Sequence, residues 1–218
     1  MNYKLRIIYI IIFCLGLNLS SRGQNASYNT NNNSSYKGAY GYEVKRDFEN
    51  TRLQQKNLDA FECRAKQKVK DFVDYVNLLA NEEYGKELRT HAAGLTKALF
   101  VNERIVIKSH WFSGKKMKEH SLTAFIRALQ DLDGTTLTVS VVDIKTAVPL
   151  TRTGEGYVGR LVAKQTLELK KNDKVQGVSP YKELEVGIVL KRIKKKFGKQ
   201  EQEIWELFLG DVTVLENP

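Results

Sequence analysis

A helical pattern of apolar and polar positions occupies the first half of the chain. Between Arg46 and about Glu83, apolar residues recur at spacings of three and four, and charged residues fill the positions between them. This spacing places the apolar side chains on one face of an α-helix, so it predicts a long amphipathic helix, in one piece or two. A second helix is predicted from Tyr84 or Gly85 to about Phe100. The apolar face of the first helix consists of Phe61, Val69, Phe72, Val73, Val76, Leu79 and Ala80.

Shorter elements follow these two helices. The stretch Arg104–Ser109 is rich in β-branched residues and predicts a strand. A polar turn with Gly114 and several lysines comes next. Ser121 is a typical N-cap, and the apolar spacing behind it predicts a helix of about ten residues that ends near Gly134. The lysines of the turn are Lys115, Lys116 and Lys118.

The chain changes to a β pattern after Gly134. Apolar and polar residues alternate in four runs, which predict the strands of an antiparallel meander. The segment Val175–Tyr181 contains Gly177 and Pro180 and is predicted to be a loop. Helices followed by such a sheet give an α+β fold. The four strands begin near Leu137, Tyr157, Glu183 and Gln202, and the last three reach about Lys170, Lys194 and Leu215.

Residues 1–23 have the pattern of an export signal. A short basic start precedes the apolar run Ile7–Leu19, and Ser21 and Gly23 are small residues that suit the positions before a peptidase cut. The run spans 13 residues, fewer than the roughly 20 that a membrane-spanning helix needs. A cleaved signal is therefore favoured over an uncleaved inner-membrane anchor. We expect cleavage before Gln24 and a location in the periplasm or at the periplasmic face of the outer membrane.

Composition divides the remainder into a spacer and one domain. Residues 24–45 are rich in Asn, Ser, Gly and Tyr, and such a segment buries too little apolar surface to offset the entropy lost on folding. We predict a flexible spacer there and a single domain over residues 46–218. Without residues 1–23 the formal net charge falls from +10 to +7, and Cys63 is the only cysteine. No disulfide can then form within the chain, and Cys63 is predicted to be a partly buried helix thiol.

The order of elements resembles one known superfamily. Two helices, a strand, a short helix and a long four-stranded sheet are similar to the nuclear transport factor 2-like superfamily, also called SnoaL-like or cystatin-like. The similarity covers roughly Asp59 to Glu216, and the ending IWELFLGDVTV looks like the last strand of several exported bacterial members. The signal, the Asn-rich spacer and this type of domain together resemble a Bacteroidetes envelope protein. The resemblance implies a cone, in which two or three N-terminal helices pack on a strongly curved antiparallel sheet. This fold hosts isomerases, dehydratases, transport factors and assembly modules, so it does not identify an activity.

The resemblance also implies where catalytic side chains would lie. Enzymes of the superfamily use an Asp, alone or with a His or Tyr, that projects into the cone and moves a proton. The candidates here are Asp143 on the first long strand, Tyr157 on the next strand and His91 on the second helix. A carboxylate buried in the cone would have a raised pKa and be a stronger base. None of the three falls in a motif that matches an enzymatic member, so a non-enzymatic function is favoured over a small-molecule isomerase or lyase.

The sequence favours neither a metal nor a cofactor. The histidines are His91, His110 and His120, and their spacing forms none of the usual local ligand pairs. The run Gly154–Gly159 imitates the glycine pattern of a dinucleotide-binding loop, but it precedes a strand instead of opening a helix. We therefore interpret it as a β-turn and expect no bound metal and no cofactor.

Aromatic residues are the candidates for a pocket or an interface. Aromatic rings contribute large contact areas to cores and interfaces alike. A homodimer formed through the sheet face is expected, together with a protein partner in the envelope, and a carrier of a hydrophobic ligand is a further alternative. The residues expected to line the cone or the open face of the sheet are Phe72, Tyr75, Trp111, Tyr157, Trp205 and Phe208.

A basic group is predicted near the turn between the last two strands. Such a group can attract nucleic acid, anionic lipid or an acidic protein, although export argues against nucleic acid. Lysines on a hairpin also keep strand ends from pairing with other chains. We expect a solvated, protective hairpin, with peripheral contact to the membrane as the alternative. The group consists of Lys191, Arg192, Lys194, Lys195, Lys196 and Lys199.

These patterns together favour an exported binding or assembly module of the bacterial cell envelope, such as a component of a secretion or surface complex.

Overall fold

The computed structural model describes five stretches of the chain. They are residues 52–112, 117–154, 156–171, 174–198 and 200–215. The predicted signal and spacer lie outside them, as do Gly114, Lys115, Lys116 and Lys199. Within the five stretches, no helix is long and apolar enough to cross a membrane.

Three helices and six strands occur in these stretches. They are α1 (Gln55–Leu79), α2 (Lys86–Leu99), β1 (Val106–Ser109), β2 (Lys118–Ser121), α3 (Leu122–Gln130), β3 (Thr135–Thr153), β4 (Gly156–Lys171), β5 (Lys174–Phe197) and β6 (Gln200–Val214). The strands form one sheet in the order β2-β1-β6-β5-β4-β3. β1 runs parallel to β6, and every other neighbouring pair in the described sheet is antiparallel. The α+β fold and the antiparallel meander of four long strands, β3 to β6, are confirmed. The described sheet as a whole is mixed, because β1 joins it parallel to β6, and the strong curvature stays a prediction.

The helices follow the predicted apolar spacing. α1 ends at Leu79 and buries Val69 and Phe72 on its predicted face. α2 lies within its predicted bounds. The side-chain oxygen of Ser121 accepts a hydrogen bond from the backbone N–H of Ala124 at 3.3 Å, which confirms the predicted N-cap of α3.

The strands are longer than the alternation of residues predicts. β2 lies where a turn is predicted, and it forms a short antiparallel pair with β1. β5 begins at Lys174, so the predicted loop Val175–Tyr181 is wrong, because Val175 and Val178 pair with residues of β4. β3 continues to Thr153 through three register shifts, which interrupt the alternation on which the prediction depends.

The core lies between the helices and one face of the sheet. Phe72 of α1, Trp111 and Phe125 of α3 are fully buried. Their rings pack on one another with centroids between 5.5 and 6.5 Å apart. The buried strand residues occur at alternate positions, as one face of a sheet requires. On β4, β5 and β6 they include Leu161, Leu167, Leu184, Val186, Ile188, Leu190, Leu207 and Leu209.

Helix α1 also binds the free edge of β3, which is the last strand of the sheet. The side-chain amide of Asn77 donates to the carbonyl of Val139 at 2.9 Å, and its oxygen accepts from the N–H of Val139 at 2.7 Å. Further along the edge, the carboxylate of Glu62 accepts from the N–H of Leu150 at 2.8 Å and from the hydroxyl of Thr146 at 3.1 Å. These contacts satisfy backbone groups that an open sheet edge would expose to other chains.

Candidate functional site

Asp143 lies on a bulge of β3, in ion pairs with two lysines. Its backbone has a φ of 55°, and β3 shifts register against β4 at this point. The carboxylate lies 2.8 Å from the Nζ of Lys145 and 3.5 Å from that of Lys164. The hydrogen bond from Lys145, and then the positive charges of Lys145 and Lys164, lower the pKa of Asp143, and burial opposes them only in part. A carboxylate with a lowered pKa is a weaker base than an ordinary one, so this environment does not activate Asp143 for proton abstraction.

The three catalytic candidates do not converge. Asp143 contacts Lys164, which stands seven residues from Tyr157 on β4, or about 23 Å along an extended strand. Positions an odd number of residues apart point to opposite faces, so Lys164 and Tyr157 lie on different sides of the sheet. His91 is exposed on α2. No single cavity can therefore use all three side chains.

Tyr157 is buried instead as part of the structure. Its hydroxyl accepts a hydrogen bond from the backbone N–H of Leu53 at 2.8 Å. Its ring meets that of Trp205 edge to face, with centroids 5.5 Å apart. The phenol thereby holds the segment before α1 against the sheet.

The aromatic candidates separate into three groups. Phe72 and Trp111 stack in the core at 6.5 Å, and Tyr75 packs partly buried beside that core. Tyr157 and Trp205 form the second group, where β4 begins. Phe208 forms the third, on the opposite side of the sheet from the buried residues that flank it on β6.

The basic group belongs to strand β5 itself and faces an acidic strand. In the register of the two strands, Lys191 lies opposite Glu206 of β6, and Lys194 lies opposite Glu203. A side-chain nitrogen of Arg192 lies 2.7 Å from the carboxylate of Glu203, and Lys195 lies 2.5 Å from that of Glu206. The predicted strand ends at Lys194, whereas β5 continues to Phe197, so Lys195 and Lys196 also belong to the strand and not to the turn. Their charge is partly compensated, which weakens any attraction to an anionic membrane. The predicted basic residues also include Lys196, which lies opposite Glu201 in the strand register.

A cavity of about 630 Å³ lies where β4 begins, beside β5. Pairing between the two strands ends at Tyr157 and Leu190. A Cβ atom at Gly156 would come within 2.7 Å of the carbonyl oxygen of Leu190, so glycine permits this close approach. Beyond it β5 continues without β4 beside it, which leaves a notch. The lining residues are Arg152, Thr153, Gly154, Gly156, Tyr157, Val158, Val189, Leu190, Lys191, Arg192 and Glu203.

Val158 and its neighbours form an apolar strip on the outer face of the sheet, the side opposite to the buried strand residues. Val158 of β4 lies beside Val189 of β5, and Val189 lies beside Phe208 of β6. Val148 of β3, opposite Arg160 of β4, continues the strip. Val148 and Val158 are each 41% exposed. We call Val148, Val158, Val189 and Phe208 the outer strip.

Sequence reasoning missed the residues that shape these surfaces. Arg152 and Glu203 border the cavity, and Asn77 and Glu62 bind the edge of β3. Gly154 has a φ of 55° and lies between β3 and β4, so a glycine-rich turn was a usable signal for the position of the cavity. Cys63 is exposed on α1, and the prediction of a partly buried thiol is wrong.

Within the described stretches, no three His, Cys, Asp or Glu side chains lie close enough together to hold a metal ion.

Comparisons with models of protein families and with curated protein sequences find no match. Among solved structures, a protein from Novosphingobium aromaticivorans DSM 12444 that is named as a candidate scytalone dehydratase shows a partial similarity. The TM-score is 0.32 and the sequence identity 11%, over 75% of this chain and 94% of that chain. A similarity of this size supports no assignment of function.

Proposed function

We propose that this chain is an exported, non-enzymatic binding or assembly module of the bacterial cell envelope. The export pattern of residues 1–23 supports the location. The order of helices and strands, which is like that of the nuclear transport factor 2-like superfamily, supports a cone-shaped domain of that kind. The outer strip is the observation that carries the proposal, because it offers an apolar surface through which a partner can bind.

The outer strip has the composition of a binding surface. Val158, Val189 and Phe208 lie side by side across three strands, which concentrates apolar area at one place. Contiguous exposed apolar area on a folded domain is typical of an interaction site. Phe208 provides the aromatic group that most often contributes strongly at the centre of an interface.

A second copy of the chain is the occupant that the surrounding charges favour. The Nζ of Lys191 lies 5.1 Å from the centre of the Phe208 ring, and Arg160 pairs with Glu185 at 3.2 Å. The strip is thus bordered by charges of both signs. Two copies related by a two-fold axis can place the cations of one against the acids of the other, as a self-complementary interface requires.

The geometry gives less support to an isomerase or lyase. Asp143 and Tyr157 lie on different sides of the sheet, and the lowered pKa of Asp143 disfavours its use as a base. The hydroxyl of Tyr157 already accepts a hydrogen bond from Leu53. The space between α1 and the sheet holds the fully buried rings of Phe72, Trp111 and Phe125, which also reduces the room for the hydrophobic ligand of a carrier.

The dimer can be tested by placing a charge on the outer strip. We expect the mature wild-type protein to dimerise, and Phe208→Glu to raise the dissociation constant by more than about tenfold, since like charges would meet across the two-fold axis. Sedimentation equilibrium over a series of concentrations measures this constant. Leu88→Glu is the matched control, because Leu88 is 44% exposed on α2, and it should dimerise as the wild type does.

Circular dichroism before sedimentation shows whether each variant is folded. If Phe208→Glu does not fold, Val148→Glu introduces the same charge at an exposed position of the same strip. A wild-type protein that stays monomeric at the highest concentration would contradict the homodimer.

Export can be tested separately from assembly. We expect the chain produced in a Gram-negative host to be recovered from the periplasm, with Gln24 as its first residue. N-terminal sequencing of the periplasmic fraction measures this. A charge in the apolar run, Leu15→Arg, should keep the full-length chain inside the cell, because a charged residue disfavours entry into the membrane. Recovery of uncleaved wild-type chain from the membrane would favour the anchor instead.

A further inference from the structure

We propose that the notch beside β5 is a binding site for a small organic anion, a molecule with a carboxylate or similar oxyanion and an apolar body. The cavity of about 630 Å³ falls in the range of roughly 300–1,000 Å³ that is typical of small-molecule sites. Its described lining separates into a cationic part and an apolar part, and each part recognises one half of such a ligand.

The cationic part is an excess of positive charge. Arg152, Lys191 and Arg192 line the cavity, and Glu203 is the acid among the described lining residues. Arg152, which lies opposite Tyr157, and Arg192, two positions after Leu190, are on the same face of the sheet as Glu203, whereas Lys191 lies on the outer face over Phe208. Two cations thus face one carboxylate there. A concave surface with charges mainly of one sign concentrates ions of the opposite sign, so the notch attracts anions.

Arg192 is held in a position to bind a ligand. A terminal nitrogen of its guanidinium lies 2.7 Å from the carboxylate of Glu203, which fixes the side chain. The Nε of Arg192 is buried and has no hydrogen-bond acceptor among the described residues. A buried donor without an acceptor is unfavourable, so an oxyanion that accepts from Arg192 gains a charge-assisted hydrogen bond.

The apolar part lies on the same inner face. Tyr157 is buried with its ring against Trp205, and Leu190, which lies opposite Tyr157 on β5, contributes aliphatic surface. A rigid aromatic ring and branched side chains suit the body of an organic acid more than they suit an inorganic ion. Gly154 and Gly156 add no side chains to the lining.

Benzoate, its neutral analogue benzamide and inorganic phosphate are the probes that test this site. Isothermal titration calorimetry of the mature wild-type chain should show benzoate binding more tightly than the other two. Arg192→Met should weaken benzoate binding by about tenfold or more, because a hydrogen bond to a charged group is lost. Arg127→Met is the control, since Arg127 is exposed on α3 and its loss changes the net charge equally; it should bind benzoate as the wild type does.

A second variant keeps the test decisive if Arg192→Met does not fold. Arg152→Met removes a guanidinium from the exposed rim of the same cavity, and it should also weaken benzoate binding. Equal binding of benzamide and benzoate would overturn the proposal, because charge would not be recognised. Binding of phosphate without binding of benzoate would also overturn it, because the apolar part would then not contribute. An equal loss of benzoate affinity in Arg127→Met would do the same, because it would indicate nonspecific attraction to positive charge.

Discussion

Replacing Phe72 by alanine is expected to lower the free energy of unfolding by about 3–5 kcal/mol, as for other large core aromatics. Phe72 is fully buried on α1. Its ring centroid lies 5.3 Å from that of Phe100, 6.2 Å from that of Phe125 and 6.5 Å from that of Trp111. Alanine would leave a cavity between the three helices and the loop after β1. The neighbouring rings could fill it only by leaving their present contacts.

Urea unfolding followed by tryptophan fluorescence measures this loss, because Trp111 lies within the affected cluster. Phe197→Ala is the matched control, since Phe197 is 53% exposed at the end of β5. It should change the free energy of unfolding by less than about 0.5 kcal/mol. A loss of less than about 1 kcal/mol in Phe72→Ala would show that this cluster is not the centre of the core.

The periodic parts of the fold were predictable from the sequence. The apolar spacing around Val69 and Phe72 identified α1, and Ser121 identified the start of α3, because both signals are local. The loop predicted at Val175–Tyr181 failed for the opposite reason. Its Gly177 and Pro180 favour a turn locally, yet β4 supplies partners along this segment and a register shift accommodates Pro180.

The surfaces were less predictable because they depend on register. The sequence shows Lys191 and Arg192 as part of a basic run, but only strand pairing places Glu203 and Glu206 beside that run. The notch likewise arises where β4 begins beside β5: the glycine-rich turn marks that place in the chain, but only strand pairing shows that β5 continues past it. The sequence indicates Phe208 as an interface candidate, but only strand pairing places Val189 beside it and Val158 beside Val189.

The edge of β3 is where α1 and the sheet depend on each other most directly. Both backbone groups of Val139 bond to the side chain of Asn77, so both point away from β4. Val139 is buried, with 1% of its surface exposed. Asn77 itself is half-buried, so water can replace the amide only in part if it is removed. The same helix binds the edge again through Glu62, two register shifts further along β3.

Asn77→Ala is expected to lower the free energy of unfolding by about 2–4 kcal/mol, since a buried donor and a buried acceptor each lose a partner. Chemical denaturation measures the loss, and hydrogen exchange locates it, because the Val139 amide should lose protection before its neighbours do. Gln67→Ala is the matched control: Gln67 is also an amide on α1, but it is exposed and its bond to Asp71 lies at the surface, so its removal should cost less than about 0.5 kcal/mol. Asn77→Asp separates the two bonds, because it keeps an acceptor for the N–H of Val139 and turns an oxygen toward its carbonyl. If Asn77→Asp were as stable as the wild type, the contact with the carbonyl would not contribute, and the bond from the N–H of Val139 would account for the whole effect of Asn77.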